Sequence, residues 1–188
     1  MHDRFRYARP VTTGDLASIG LGNDDLLALD RQVCFALAVA NRAVLAVYRP
    51  ILEPLGLTHP QYLVMLALWG KAPMSVKAIG EALALDSPTL SPLLKRLEAS
   101  QLITRSRSRV DERQLVVDLT ARGRALRNEA EKVPVAVVEK LGVSPAELQE
   151  LHRALTRLND AAAHATTSSD RRPSRDPSEP PDTTKGTL

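Results

Sequence analysis

Residues 86 to 120 read DSPTLSPLLKRLEASQLITRSRSRVDERQLVVDLT, and this stretch decides the fold. Asp86 or Ser87 can cap a helix, and Pro88 suits its first turn. Leu90, Leu93, Leu94 and Leu97 recur at helical spacing and should face a core. Ser87, Thr89, Ser91, Lys95 and Arg96 are left facing outward. The period then changes. Arg105, Arg107 and Arg109 occupy alternate positions, so a strand puts all three on one face. Val110 to Arg113 makes a turn, and Leu115, Val117 and Leu119 alternate on the return strand. A helix showing small hydroxyls and basic groups, beside an arginine-lined hairpin, suits duplex DNA. The helix can enter a major groove while the hairpin reaches phosphates or the adjacent minor groove. A helical domain with a merely solvated basic hairpin is the plainer reading of the same residues.

Composition agrees with the DNA reading. The chain has 188 residues, 44% of them hydrophobic, which is enough for one domain with tails. Aromatic residues make up only 3%, which argues against a stacking platform for single strands. The net charge is only +3, so binding must rest on local clustering. From Lys95 to Arg113 six basic residues stand against three acidic ones, Glu98, Asp111 and Glu112. No apolar run approaches the length of a membrane span, and no signal-peptide core opens the chain, so a cytoplasmic protein is expected.

Working outward, the chain is mostly helical. Residues 1–23 show no clear period and are expected to form a flexible tail. A first helix is expected from Asn23 or Asp24 towards Glu53, with Val33, Leu37, Ala40, Val44, Val47 and Ile51 forming an apolar seam. Thr58 caps a second helix that continues through Trp69, and Val76, Ile79 and Leu83 mark a third. After the hairpin, Thr120 caps a helix to about Lys140. Ser144 to Glu147 forms a capping box with Pro145 at the first position. Leu148, Leu151, Leu155 and Leu158 follow at helical spacing. Residues 166–188 are rich in Ser, Thr, Pro, Asp and Arg and are expected to be disordered. The fold class is thus mainly α with a small β-hairpin wing, in one domain over residues 24–165. Residues 58–120 would hold the DNA-binding part. Residues 24–57 and 121–165 would supply helices that join two copies, although packing within one chain would also satisfy their seams.

That order of elements resembles a winged helix-turn-helix, specifically the MarR family of transcription regulators, over roughly Asp25 to Ala165. The pieces that carry the resemblance are Leu85-Asp86-Ser87, Thr89 through Glu98, Leu102-Ile103-Thr104-Arg105, and Asp111-Glu112-Arg113. It implies that Asp111 and Arg113 sit at the wing tip, Asp111 in a structural role. The residues expected at DNA are Ser87, Thr89, Ser91 and Arg96 from the helix and Arg107, Arg109 and Arg113 from the wing. A homodimer would place two recognition helices on half-sites of a pseudo-palindromic operator.

Cys34 is the only cysteine. It excludes an intrachain disulfide and a multi-cysteine zinc site. His2, His59, His152 and His164 are too scattered for a metal site, and no cofactor is expected. A single helical cysteine is usually a small buried hydrophobe. Its surroundings, LDRQVCFAL, then Tyr48-Arg49-Pro50-Ile51-Leu52 and Leu57-Thr58-His59-Pro60-Gln61-Tyr62-Leu63, resemble the organic hydroperoxide-sensing (OhrR) branch of the family. The resemblance implies that Cys34 is the sensor, hydrogen-bonded by two tyrosines. The first matches Tyr48. The second falls on His59, where this chain departs from the pattern. His59 could serve there as a donor or as an imidazolium, or be an ordinary first-turn residue.

Cys34 and Tyr48 lie fourteen residues apart, on one face of a helix but about 21 Å apart along it. Only an antiparallel partner helix could join them. The helix's positive end is expected about ten residues from Cys34, too far to act on it. Oxidation by an organic hydroperoxide would give a sulfenic acid, with a small thiol the expected capping partner in the absence of a second cysteine. Two other readings compete: a regulator released by a small aromatic or amphipathic ligand, with Cys34 incidental, and a thiol peroxidase. No Ser-His-Asp arrangement, paired catalytic carboxylates or phosphate-binding glycine loop is present, so a regulator rather than an enzyme is expected.

Overall fold

The computed structural model describes residues 28–29, 32–107 and 114–169, with side chains described to Ala165. Helix α1 spans Val33–Leu52 and runs into a 3-10 turn at Glu53–Leu55. Gly56, at φ 67, closes that turn in the left-handed region where a side chain would be strained. Helix α2 is His59–Lys71, strand β1 Met74–Ser75, α3 Val76–Leu83 and α4 Ser87–Ala99. Strands β2, Ile103–Arg107, and β3, Leu115–Leu119, precede α5, Ala121–Ala130, α6, Val133–Leu141, and α7, Pro145–Ser169.

The helix starts follow local chemistry. Gln61 Oε1 accepts from both the Thr58 N–H and the Thr58 hydroxyl at 2.9 Å, fixing the entry to α2. Ser75 Oγ accepts from the Ala78 N–H to cap α3, and Asp86 Oδ1 accepts from the Thr89 N–H to cap α4. Between these two helices Ala84 takes φ 51, and the Leu85 N–H returns to the Gly80 oxygen at 2.9 Å. Gly80 makes this tight turn possible, because a Cβ there would stand 2.8 Å from the Leu85 oxygen.

The two hairpin strands pair antiparallel from Ile103 opposite Leu119 to Arg107 opposite Leu115. A third strand joins them: β1 pairs with β3, Met74 opposite Val117, giving the order β1-β3-β2. The sequence pattern predicts only two of these strands, because a two-residue strand has no period to read. The core gathers Leu52 from α1, Met65 and Leu68 from α2, Ile79 from α3, Leu90, Leu94 and Leu97 from α4, with Ile103 and Val117 from the sheet. Trp69 Nε1 donates to the Gly123 oxygen at 2.8 Å, fastening α2 to α5.

Four expectations need correction. The first helix begins at Val33, not near Asp24, since Gln32 at its N-cap is extended, with φ −79 and ψ 118. The helix after the wing is two helices, broken at Glu131 and Lys132. Pro134 lacks the N–H that a continuous helix would need, and in one it would crowd the Ala130 carbonyl. The last helix runs to Ser169, so residues 166–169 are helical rather than tail. Val33–Leu55 is long and apolar enough, by length and composition, to cross a membrane. Arg42 and Arg49 interrupt it, and Val47, Tyr48 and Ile51 pack on the core.

Backbone contacts divide the chain into two units, one ending at Leu141 and one beginning at Gly142. The second contains α7, opened by the expected capping box: Glu147 Oε2 accepts from the Ser144 N–H at 2.8 Å and from its hydroxyl at 2.7 Å. These bonds hold the Glu147 carboxyl below the usual carboxylate range. The expected tails at residues 1–23 and 170–188, and the wing tip with Arg109, Asp111 and Arg113, lie outside the described residues.

Candidate nucleic-acid interface and redox site

Helix α4 presents the surface that its leucine spacing requires. Leu90, Leu94 and Leu97 are buried, while Ser87, Thr89, Ser91, Lys95 and Arg96 are exposed. Not all the exposed hydroxyls are uncommitted. Ser91 Oγ donates to the Ser87 oxygen at 2.8 Å. The Thr89 side chain and N–H both bond the Asp86 carboxylate and hold it below the usual range. Ser87 and Arg96 therefore stand out as the helix groups best placed for base edges and phosphates. A cleft of about 750 Å³ beside α4 is lined by Ser75, Lys77, Gly80, Ser87, Ser91 and Gln114. Lys77 and Gln114 were missed in the sequence. Lys77 lies on the polar side of α3, opposite Val76 and Ile79, which is the signal that could have found it.

Arg105 and Arg107 differ in their surroundings. The face that carries Arg105 and Arg107 begins at Ile103, which is buried in the core. Arg105 is half-buried and turns back onto α4, where its Nε donates to Glu98 Oε2 at 2.9 Å and its terminal nitrogen reaches the same oxygen. The pair holds the Glu98 carboxyl below the usual range. Arg107, two residues further out, is exposed. Of the expected three-arginine face, Arg105 is thus taken up in an ion pair and Arg107 lies at the surface, while Arg109 falls outside the described residues.

Of the three redox candidates, the fold joins two. The Tyr48 and His59 rings meet edge to face, centroids 4.8 Å apart and planes at 71°. Tyr62 lies behind Tyr48 at 6.2 Å. Burial lowers the pKa of His59 from its ordinary 6.5. His59 also lines a cleft of about 520 Å³ with Leu45, Arg49, Glu53 and Leu57.

Cys34 is apart from this pair, fourteen residues up the same helix. It is exposed rather than the buried hydrophobe that base rate suggests. Because α1 starts at Val33, Cys34 is its second residue. The first helical bond runs from the Ala36 N–H to the Gln32 oxygen at 3.0 Å. Cys34 therefore sits in the first turn of the helix and not ten residues from its start. The seam above the core is uncovered: Val33 is 59% exposed and Leu37 38%.

A capped helix-turn-helix backed by a three-stranded sheet, with a basic hairpin extending from it, defines a winged-helix DNA-binding protein. Known proteins give the rest. Residues 46–130 match the SarA/Rot transcriptional regulators. The chain is 45% identical over 139 residues to the HTH-type transcriptional regulator TtmR of Methylorubrum extorquens (strain PA1), covering 74% of this chain and 71% of that one. It is 41% identical over 134 residues to the organic hydroperoxide resistance transcriptional regulator of Bacillus subtilis (strain 168), covering 71% and 91%. The solved structure of reduced AbfR bound to DNA superposes with a TM-score of 0.65 at 34% identity, covering 75% of this chain and 96% of that one. The chain belongs to the MarR family of winged-helix transcription regulators and is a DNA-binding regulator of that type.

Proposed function

We propose that the protein is a homodimeric, cytoplasmic repressor that senses organic hydroperoxides through Cys34 and releases its operator when that thiol is oxidised. The observation that carries this reading is the separation of the redox residues along α1. Cys34 stands at one end of an uncovered apolar seam, and the Tyr48–His59 pair stands at the other. A second copy, antiparallel, would cover the seam and bring each Cys34 to the partner's pair. The 41% identity to the Bacillus organic hydroperoxide resistance regulator supports the choice of oxidant. The cleft beside His59 has room for the organic group of a small hydroperoxide.

The chemistry requires only this chain, the oxidant and a thiol. The Cys34 thiolate attacks the terminal peroxide oxygen, the O–O bond breaks, and the alcohol leaves with a proton. The sulfur, oxidised by two electrons, becomes a sulfenic acid. With one cysteine in the chain, a small cellular thiol condenses with it to a mixed disulfide and releases water. Either product changes the hydrogen bonding at Tyr48 and His59. A hundredfold loss of operator affinity corresponds to about 2.7 kcal/mol, within the reach of one or two charge-assisted hydrogen bonds.

A second reading, release by a small aromatic ligand, draws on a cleft of about 340 Å³ lined by Tyr62, Trp69 and Arg127. Operator gel shifts separate the two. Wild-type protein is expected to release DNA after stoichiometric cumene hydroperoxide, and Cys34→Ser to hold it. If both proteins ignore the peroxide, the redox reading falls and the ligand reading replaces it.

A further inference from the structure

We propose that Glu98 and Arg105 form a strut that sets the pitch of the wing against the recognition helix, and so act as positioning residues for operator binding. Glu98 lies in the last turn of α4 and Arg105 at the centre of β2, opposite Val117. The two strands of the wing are held to each other by their ladder. That ladder fixes nothing about how the pair of strands leans relative to the helix. The base of the wing is anchored by Leu102 and Ile103, both buried in the core. Arg105 carries the anchoring two residues, or roughly 7 Å, further out. It makes an ion pair that joins α4 to the sheet. The other ion pairs described lie within α3, lie at the end of α5 with Glu131 and Lys132, or join β3 to α5 through Asp118 and Arg124.

The side chains of Arg105 and Glu98 are 27% and 38% exposed. A pair that open contributes little to folding stability. What it does supply is direction. A guanidinium bonding one carboxylate oxygen through two of its nitrogens fixes the arginine stem, and the stem fixes the strand. Pitch matters because a winged helix engages DNA at two places, the helix in one groove and the wing along the backbone. A wing free to lean must give up that freedom on binding.

This inference rests on the family's DNA binding and not on the redox reading. It differs from a phosphate contact by Arg105 in a way that salt reveals. The probe is a duplex that the wild-type chain selects from a randomised DNA pool, with binding measured by anisotropy over a salt series. Glu98→Gln and Arg105→Gln are both expected to weaken binding roughly fivefold, the scale of a surface ion pair. Both should leave the salt slope as in the wild type. The exchange Glu98→Arg with Arg105→Glu is expected to recover most of the loss. Arg105→Gln flattening the slope by about 0.9, the value of one lost phosphate contact, with Glu98→Gln binding as well as the wild type or better, would overturn the strut. So would an exchanged pair no better than the single variants. Circular dichroism melts of each variant separate a positioning defect from misfolding.

Discussion

The edge of one ring on the face of another, Tyr48 against His59 at 4.8 Å, ties the end of α1 to the start of α2. The contact lies where His59 is half-buried, and that burial disfavours its protonated form. It also places the two residues in a single unit, so a change felt by Tyr48 reaches α2 directly. From there Tyr62 and Trp69 continue the aromatic run at 6.3 Å, and the Trp69 indole ends on α5 at the Gly123 oxygen.

Stability should therefore depend on pH through His59. Its pKa is lowered in the folded chain, so below 6.5 the unfolded chain takes up a proton that the folded chain resists. The stability His59 confers is complete above 6.5 and is lost as pH falls towards its folded value. Thermal melts are expected to decline more steeply below pH 6.5 in the wild type than in His59→Tyr. Parallel declines in the two proteins would refute a burial cost at this ring.

The outer wing should govern salt dependence. Arg107→Ala is expected to weaken binding to specific and random duplexes alike, and to flatten the plot of log affinity against log salt by about 0.9. Ser87→Ala should instead narrow the gap between specific and random DNA with the slope unchanged, since base contacts specify while phosphate contacts position. Anisotropy titrations on both duplexes distinguish the two behaviours.

The junction of wing and α5 is packed without tolerance. A Cβ on Gly123 would lie 2.0 Å from the Leu102 oxygen, and backbone cannot yield as a side-chain tip can. Gly123→Ala is expected to cost about 3 kcal/mol in urea unfolding. Trp69→Phe, which removes the indole donor to that residue together with part of the packed ring system, should cost about 1–2 kcal/mol. Equal costs would show that the hydrogen bond, rather than the close approach, holds the junction.

These junctions also mark where the sequence was readable. The leucine spacing of α4, the Asp86 cap and the alternation of β3 were legible because each is a local pattern with one structural solution. The start of α1 was not, since residues on both sides of Gln32 suit a helix and only its extended backbone ends the run. That one boundary moved Cys34 from mid-helix to the first turn. The resemblance set Tyr48 and His59 each beside Cys34, but their contact with one another was not legible, because no periodicity links the end of one helix to the start of the next. Arg105 misled for the opposite reason. Its alternation with Arg107 was read correctly, but alternation cannot tell which of two same-face residues will find Glu98.

If the redox site is built across two chains, mixed dimers report it. Pair a Cys34→Ser chain with a Tyr48→Phe chain, tagged differently and purified as the heterodimer. Should each Cys34 use the partner's tyrosine, the surviving cysteine faces an intact Tyr48, and half the wild-type number of thiols should oxidise at the wild-type rate. Should each use its own, that cysteine sits in the chain with phenylalanine and should oxidise at the rate of the Tyr48→Phe homodimer. The helix argues for the first outcome. Fourteen residues at 1.5 Å each leave Cys34 and Tyr48 of one chain about 21 Å apart, and no rotamer spans that gap. Stopped-flow oxidation of the two homodimers and the heterodimer, followed by counting of free thiols, decides between them.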